Sequence, residues 1–387
     1  MPIEYCTKSK GIISLTEKRK LVLRKSDFEY AEILLLIMIS VAPYISVAIK
    51  LGMQVLIVLI NVRQIRNVSK SFYVAFVFML IPSLLDLFNA SRSNPYSGNN
   101  LLYPLSFLVG ALIACKYDKE YFLFKFEKIL YVLGILSLVG MSIYYIAPGL
   151  INRFPTYTFY TLTHRTIYFF NYIYAQGFLM VRNSGIAWEP GVFQILMNLG
   201  LSISVAGKEK FDYKRIIVYS LAVILTRSTT GLIILMINLV LVIRKKKGFI
   251  ILLLLAITVF STEIYNTVSY QLTNKWVGSL AFDNRYIPTV NAFKAGITHP
   301  FGIGSTGYNA IYEQERLGSF DSYTQILMRY GYGLLCFIIY TLAKIIKKHW
   351  YIGIILAVSM LSESMWNCVL FTTIYFIYLR ENEEVRG

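Results

Sequence analysis

The chain has 387 residues, of which 56% are hydrophobic and only 15% charged, too little polar surface to cover a water-facing globule of that size. Its 38 Lys and Arg against 21 Asp and Glu give a net charge of +17. In a soluble domain that balance points to nucleic acid, whereas in so apolar a chain it points to basic cytoplasmic loops. Composition thus excludes a soluble globule and argues against a nucleic-acid partner.

In chain order, residues 1–28 read as a basic cytoplasmic tail, 29–379 as a single transmembrane domain, and 380–387 as a cytoplasmic C-terminal tail. Apolar stretches predict spans near 29–46, 47–62, 71–89, 100–115, 128–148, 188–206, 214–226, 229–243, 249–263, 323–343, 350–363 and 364–379, about twelve in all. The first apolar run leads straight into further spans, so it is expected to act as the targeting signal, with no cleavable signal peptide. The expected fold is therefore an all-α polytopic integral membrane protein.

Lys and Arg gather in alternate loops: Lys8 to Lys25, Arg63 to Lys70, Lys116 to Lys128, Lys208 to Arg215, Arg244 to Lys247 and Lys344 to Lys348. That alternation places both termini in the cytoplasm. It also decides the stretch Ile216 to Ile243, which is apolar except for Thr226-Arg227-Ser228-Thr229-Thr230-Gly231. One long helix here would carry Arg244 to Lys247 to the wrong side, so a hairpin with Arg227 at its tip is expected. Of the four cysteines, Cys6 and Cys115 fall on the cytoplasmic side and Cys336 and Cys368 within spans. No disulfide framework follows, and they read as packing residues.

Two outer loops stand out by length, about 148–187 and 263–322, since long connections are usually functional. The first carries Tyr157, Tyr160, Tyr168, Phe169, Phe170, Tyr172 and Tyr174. Such a stretch is expected to lie as helices on the membrane face or to form a lid, as an interfacial aromatic belt or as sugar-stacking faces. It ends in Arg182-Asn183-Ser184-Gly185-Ile186-Ala187-Trp188-Glu189-Pro190-Gly191. Pro190 suits the first turn of a helix, and Glu189 before it complements the positive helix end. That end, with Arg182 close in sequence, suits a phosphate or a carboxylate with a chemical role. The alternative is that Glu189 merely caps the helix while Arg182 snorkels to lipid headgroups.

The second loop carries Arg285 and then His299-Pro300-Phe301-Gly302-Ile303-Gly304. Its glycines permit close backbone approach to a ligand, but the strand–turn–helix setting of a nucleotide site is missing. His299, one of three histidines, is a candidate base with a structural alternative. No cluster has metal-ligand spacing, so neither metal nor cofactor is expected. Arg227 is the most telling cation, because a charge at hydrocarbon depth costs several kcal/mol. Its plainer role is an ion pair with Asp86 or Glu363. Arginine grips phosphate in a fork, and a lipid-borne diphosphate would match these features.

Arg182 to Gly191, the hairpin Leu225 to Gly231, Arg285 with His299 to Gly304, and Ser319-Phe320-Asp321-Ser322-Tyr323 through Gly331 together resemble the O-antigen polymerase and ligase superfamily. The resemblance covers roughly 180–335. It implies a membrane-embedded, GT-C-like glycosyltransferase of the bacterial inner membrane, free of metal, with both large loops periplasmic. Such an enzyme moves a growing glycan from its undecaprenyl-diphosphate carrier onto another lipid-linked unit. The polymerases' Arg-x10-Gly pattern is met by Arg285 and Gly296, whereas Arg182 and Arg165 have Phe193 and Gln176 at that spacing. The ligases' histidine before the helix at Tyr323 is replaced by Phe320 beside Asp321, which favours a polymerase. By this resemblance, Arg182, Arg227 and Arg285 bind the diphosphate, Gly296, Gly302 and Gly304 form a glycine-rich loop, and Glu189 is the base, with His299 or Asp321 as substitutes. A chain-length regulator and a flippase are the implied partners. A ligase, a flippase and an ordinary transporter are the alternatives.

Overall fold

The structure, a computed structural model, describes residues 25–63, 70–93, 98–151, 153–159, 162–167, 170–174, 181–207, 212–246, 280–315 and 321–384, with isolated residues between 248 and 269. The span expected over 249–263 and the tail before residue 25 lie largely or wholly outside the described residues, as do Tyr160, Tyr168, Phe169, Arg316 and Phe320. Every other predicted span contains a helix. They are α1 (Lys25–Val41), α2 (Val47–Asn61), α3 (Lys70–Ser93), α4 (Gly98–Lys116), α5 (Lys119–Ile146), α7 (Pro190–Ala206), α8 (Tyr213–Thr226), α9 (Thr229–Lys245), α12 (Ser322–Lys348), α13 (Trp350–Ser362) and α14 (Val369–Glu384). A single turn, α6 (Pro148–Ile151), follows α5, while α10 (Leu280–Thr298) and α11 (Gly304–Glu315) occupy the second long loop. Among the described residues, α5 and α12 are long and apolar enough to cross a membrane, and six further helices are apolar but shorter.

Two expectations change. The helix expected from 128 begins at Lys119, because its charged first turns are neutralised by neighbours: Lys125 pairs with Glu29, and Glu127 with Arg215 at 2.6 Å. Beyond the turn α6, the first long loop is not helical where described. It forms an antiparallel meander of β1 (Thr156–Phe159), β2 (Leu162–Ile167), β3 (Phe170–Tyr174) and β4 (Arg182–Gly185), paired in sequence order. Its β-branched and aromatic residues favour strands over an interfacial helix, so the all-α expectation holds for the helical body and fails for this loop.

The centre of the bundle is α7, buried along most of its length and packed by α5, α8, α9 and α13. Gln194, Asn198 and Ser202 recur at helical spacing on it and are fully buried. Asn198 Nδ2 donates to Gln194 Oε1 at 2.9 Å and to Gly231 O at 3.2 Å, and Asn238 Nδ2 donates to Asn198 Oδ1 at 3.2 Å. Polar ladders of this kind, with a small residue at the crossing, hold helices together where no hydrophobic drive separates lipid from protein. A Cβ on Gly231 would stand 2.9 Å from Gln194 Cβ. The ladder therefore sets α9 parallel to α7, and with it the height of the α8–α9 turn.

Candidate functional site

That turn carries the first basic group. Arg182, which opens β4, donates from Nε to Thr226 O at 2.9 Å and from Nη2 to Arg227 O at 3.5 Å. Both carbonyls belong to the end of α8, where helical acceptors are left open. Arg227 has a left-handed backbone (φ 51°) and is the one non-glycine residue with positive φ among those described. Such a conformation is strained for a side chain of this size. α9 starts immediately, with Ser228 Oγ accepting from Gly231 N at 3.4 Å. The expected hairpin is thus two helices, with Arg182 clamping its tip.

Beneath the tip runs an apolar groove of about 430 Å³, lined by Ile135, Leu138, Val139, Ile143 and Ile146 of α5 and Val218 of α8, with Ser142 as its one polar side chain. Ile143 packs in a small cluster with Val181 and Leu225, the chain neighbours of Arg182 and of the hairpin tip. The groove thus runs along the exposed apolar flank of α5, and Ile143 links it to the cluster beside the hairpin tip.

At the same end of the bundle, Glu189 is the extended residue before α7 (φ −153°, ψ 159°), and its side chain makes no capping hydrogen bond. A Cβ on Gly191 would collide with Glu363 Oε1 and come within 3.2 Å of Glu189 Oε1. Of the two occupants expected at this helix end, a phosphate or a carboxylate, the structure places the protein's own carboxylates there, which the positive end of the dipole stabilises. Glu363 follows α13 and is buried. Its carbonyl accepts from Ser322 Oγ at 2.7 Å, and Ser322 Oγ accepts in turn from Met365 N at 2.9 Å. Asp321, next to Ser322, caps α12 by accepting from Thr324 N at 2.8 Å. The Glu189 and Glu363 carboxyls thus meet where α7 begins, while Asp321, the neighbour of Ser322, turns its carboxyl to the first turn of α12.

No protein-family model, curated protein or solved structure matches this chain. The geometry alone must carry the reading of the site.

His299 and the glycines form a separate group. Gly302 (φ 82°) and Gly331 (φ 75°), the break inside α12, interlock backbone to backbone. A Cβ on Gly302 would stand 2.5 Å from Arg329 O, and one on Gly331 would strike Pro300 O. Ile303 N donates to Met328 O at 2.7 Å and Tyr332 N to Pro300 O at 3.0 Å. Gly296 faces Leu327 Cδ1 at 3.0 Å. The close approach foreseen for these glycines is therefore to another stretch of chain, not to a ligand. His299 is exposed, with Nδ1 2.9 Å from Thr298 Oγ1. It lies at the level of Gly331, about 15 Å along α12 from Asp321, so it does not join the carboxylates. A Cβ on Gly304 (φ 68°) would stand 3.3 Å from Asp86 Oδ1. That carboxylate caps α11 by accepting from Ser305 N at 2.6 Å. Arg285 lies on α10, and its side chain is outside the described residues.

Two residues deserved more notice from sequence alone. Glu363 was visible only as one of two pairing options for Arg227. Arg329 sits inside a predicted span, where the depth argument that singles out Arg227 applies equally. Among the described residues, no group of three His, Cys, Asp or Glu could hold a metal ion.

Proposed function

We propose that this chain is a membrane glycosyltransferase that polymerises lipid-linked oligosaccharide units, a surface-polysaccharide polymerase of the O-antigen type working at the periplasmic face of a bacterial inner membrane. The observation that carries the reading is the apolar groove of α5 and α8, whose Ile143 shares a cluster with Val181 and Leu225, the chain neighbours of Arg182 and of the hairpin tip at Arg227. A long isoprenoid chain suits the groove, and the diphosphate it bears suits the arginines, whose guanidinium groups stay charged and match phosphate oxygens.

Glycosyl transfer from such a carrier needs the departing diphosphate to be neutralised and the acceptor hydroxyl to lose a proton. Arginines without a metal serve the first need by electrostatic stabilisation of the leaving group. Glu189 serves the second as base, with Glu363 beside it as a positioning carboxylate. The acceptor oxygen attacks the anomeric carbon, the carbon–oxygen bond to the diphosphate breaks, and the proton passes to Glu189. Arg285 is assigned to the same diphosphate by its Arg-x10-Gly spacing.

The surface glycan of a deletion strain tests this. Attached glycan reduced to a single repeat unit is the result expected of a lost polymerase. A strain with no attached glycan would point to a ligase or flippase, and an unchanged ladder would remove the proposal.

A further inference from the structure

Arg329 lies on α12, two residues before its break at Gly331, and is 7% exposed. Its guanidinium is 4.8 Å from the ring centroid of Tyr103 on α4 and 4.5 Å from that of Tyr308 on α11. Its Nε and Nη1 have no hydrogen-bond partner among the described residues. The acid of this region, Asp86, is engaged by Ser305 N and Oγ at the start of α11. A cation buried at this depth with donor groups left over is costly, and two tyrosine faces offset only part of that cost.

The arrangement restricts what can complete it. The two ring faces turned to the guanidinium are occupied by it, so they are not free to stack a sugar. The remaining donors, Nε and Nη1, lie in the guanidinium plane and point to different edges of it, so each offers a single N–H to an oxyanion oxygen. Tyr308 is carried by a short helix that Asp86 caps at Ser305 N and that Gly302 and Ile303 tie to the Met328–Gly331 stretch of α12, so this wall of the cage is fixed against the element that bears Arg329.

We propose that Arg329, between Tyr103 and Tyr308, is a second oxyanion site that takes a phosphate or diphosphate group. The site is distinct from Arg182 and Arg227 and does not depend on the polymerase reading. The anion is either free in solution or the head of a lipid, and one experiment separates the two.

The full chain is placed in phosphatidylcholine nanodiscs, and thermal unfolding is followed with inorganic diphosphate in solution or with geranylgeranyl diphosphate in the disc. Carrying R182A and R285A throughout weakens the first basic group, and the comparison of parent with Arg329 variants cancels what Arg227 still contributes. A probe-induced rise in Tm is expected with Arg329 and lost with R329M, which binds at least about tenfold more weakly. Without probe, R329M is expected to be no less stable than its parent, because an uncompensated charge has been removed. R329K is the second variant. It keeps the charge and the fold and weakens the response, so the test survives if R329M does not assemble. A response to inorganic diphosphate identifies a free-anion site, and one confined to the lipid identifies a headgroup site. An equal rise in parent and both variants, no rise in the parent, or a large loss of probe-free stability in both variants would each overturn the proposal. A strain with normal polymer alongside an Arg329-dependent rise would remove the polymerase reading and leave this site standing.

Discussion

Gly191 leaves no room for a side chain between the helix it opens and the carboxyl of Glu363. G191A is therefore expected to lose about 1–3 kcal/mol of stability by overpacking, visible as a lower Tm in detergent. E189Q keeps shape and removes the base, so polymer formation should fall by roughly 10²–10⁴-fold at unchanged protein level. Normal polymer from E189Q would reduce Glu189 to a cap. R182A should cost about 10²-fold or more by weakening the hold on developing charge; a normal glycan ladder at normal protein level would remove it from the diphosphate site. At this scale, legibility followed chain distance. Glu189 and Arg182 stand out because a proline at a helix start and a basic residue nearby can be read within ten residues. Glu363 could not be paired with Glu189 this way, because only tertiary packing of α13 against α7 brings the two carboxyls together.

Among the elements, the α8–α9 hairpin was legible because the charge rule forbade the alternative, and the structure turns at Arg227 as that argument requires. The meander β1–β4 was not foreseen. Aromatic content alone reads equally as an interfacial helix, and only the two-residue alternation of segments such as Thr156–Phe159 separates the cases. Gly302 stands out within the second loop and Gly331 as the end of the stretch from Ser319, and neither segment by itself shows that the two pack on each other. Because each approaches the other's backbone, G302A and G331A should each destabilise by about 1–3 kcal/mol from backbone strain alone, with steric overlap adding to it. Matching losses in the two single variants, and less than their sum in the double, would be measured by thermal unfolding. Simple additivity would contradict an interlock.

For the whole molecule, hydropathy located nearly every described helix, while composition and charge supplied a direction that no contact in the structure encodes. A tag following Lys247 should report from the cytoplasm and a cysteine placed at Tyr157 should react with an impermeant thiol reagent from outside. The reverse pattern would keep the helical fold and turn the site inward. The central claim, that this end of the bundle joins lipid-linked glycans, is tested most directly by reconstituting the purified chain in liposomes with polyprenyl-diphosphate-linked repeat units. The account predicts a ladder of longer lipid-linked products from the wild type, reduced by roughly 10²-fold or more in E189Q. Single units that persist unchanged with properly oriented wild-type protein, or an E189Q ladder equal to the wild type's, would contradict it.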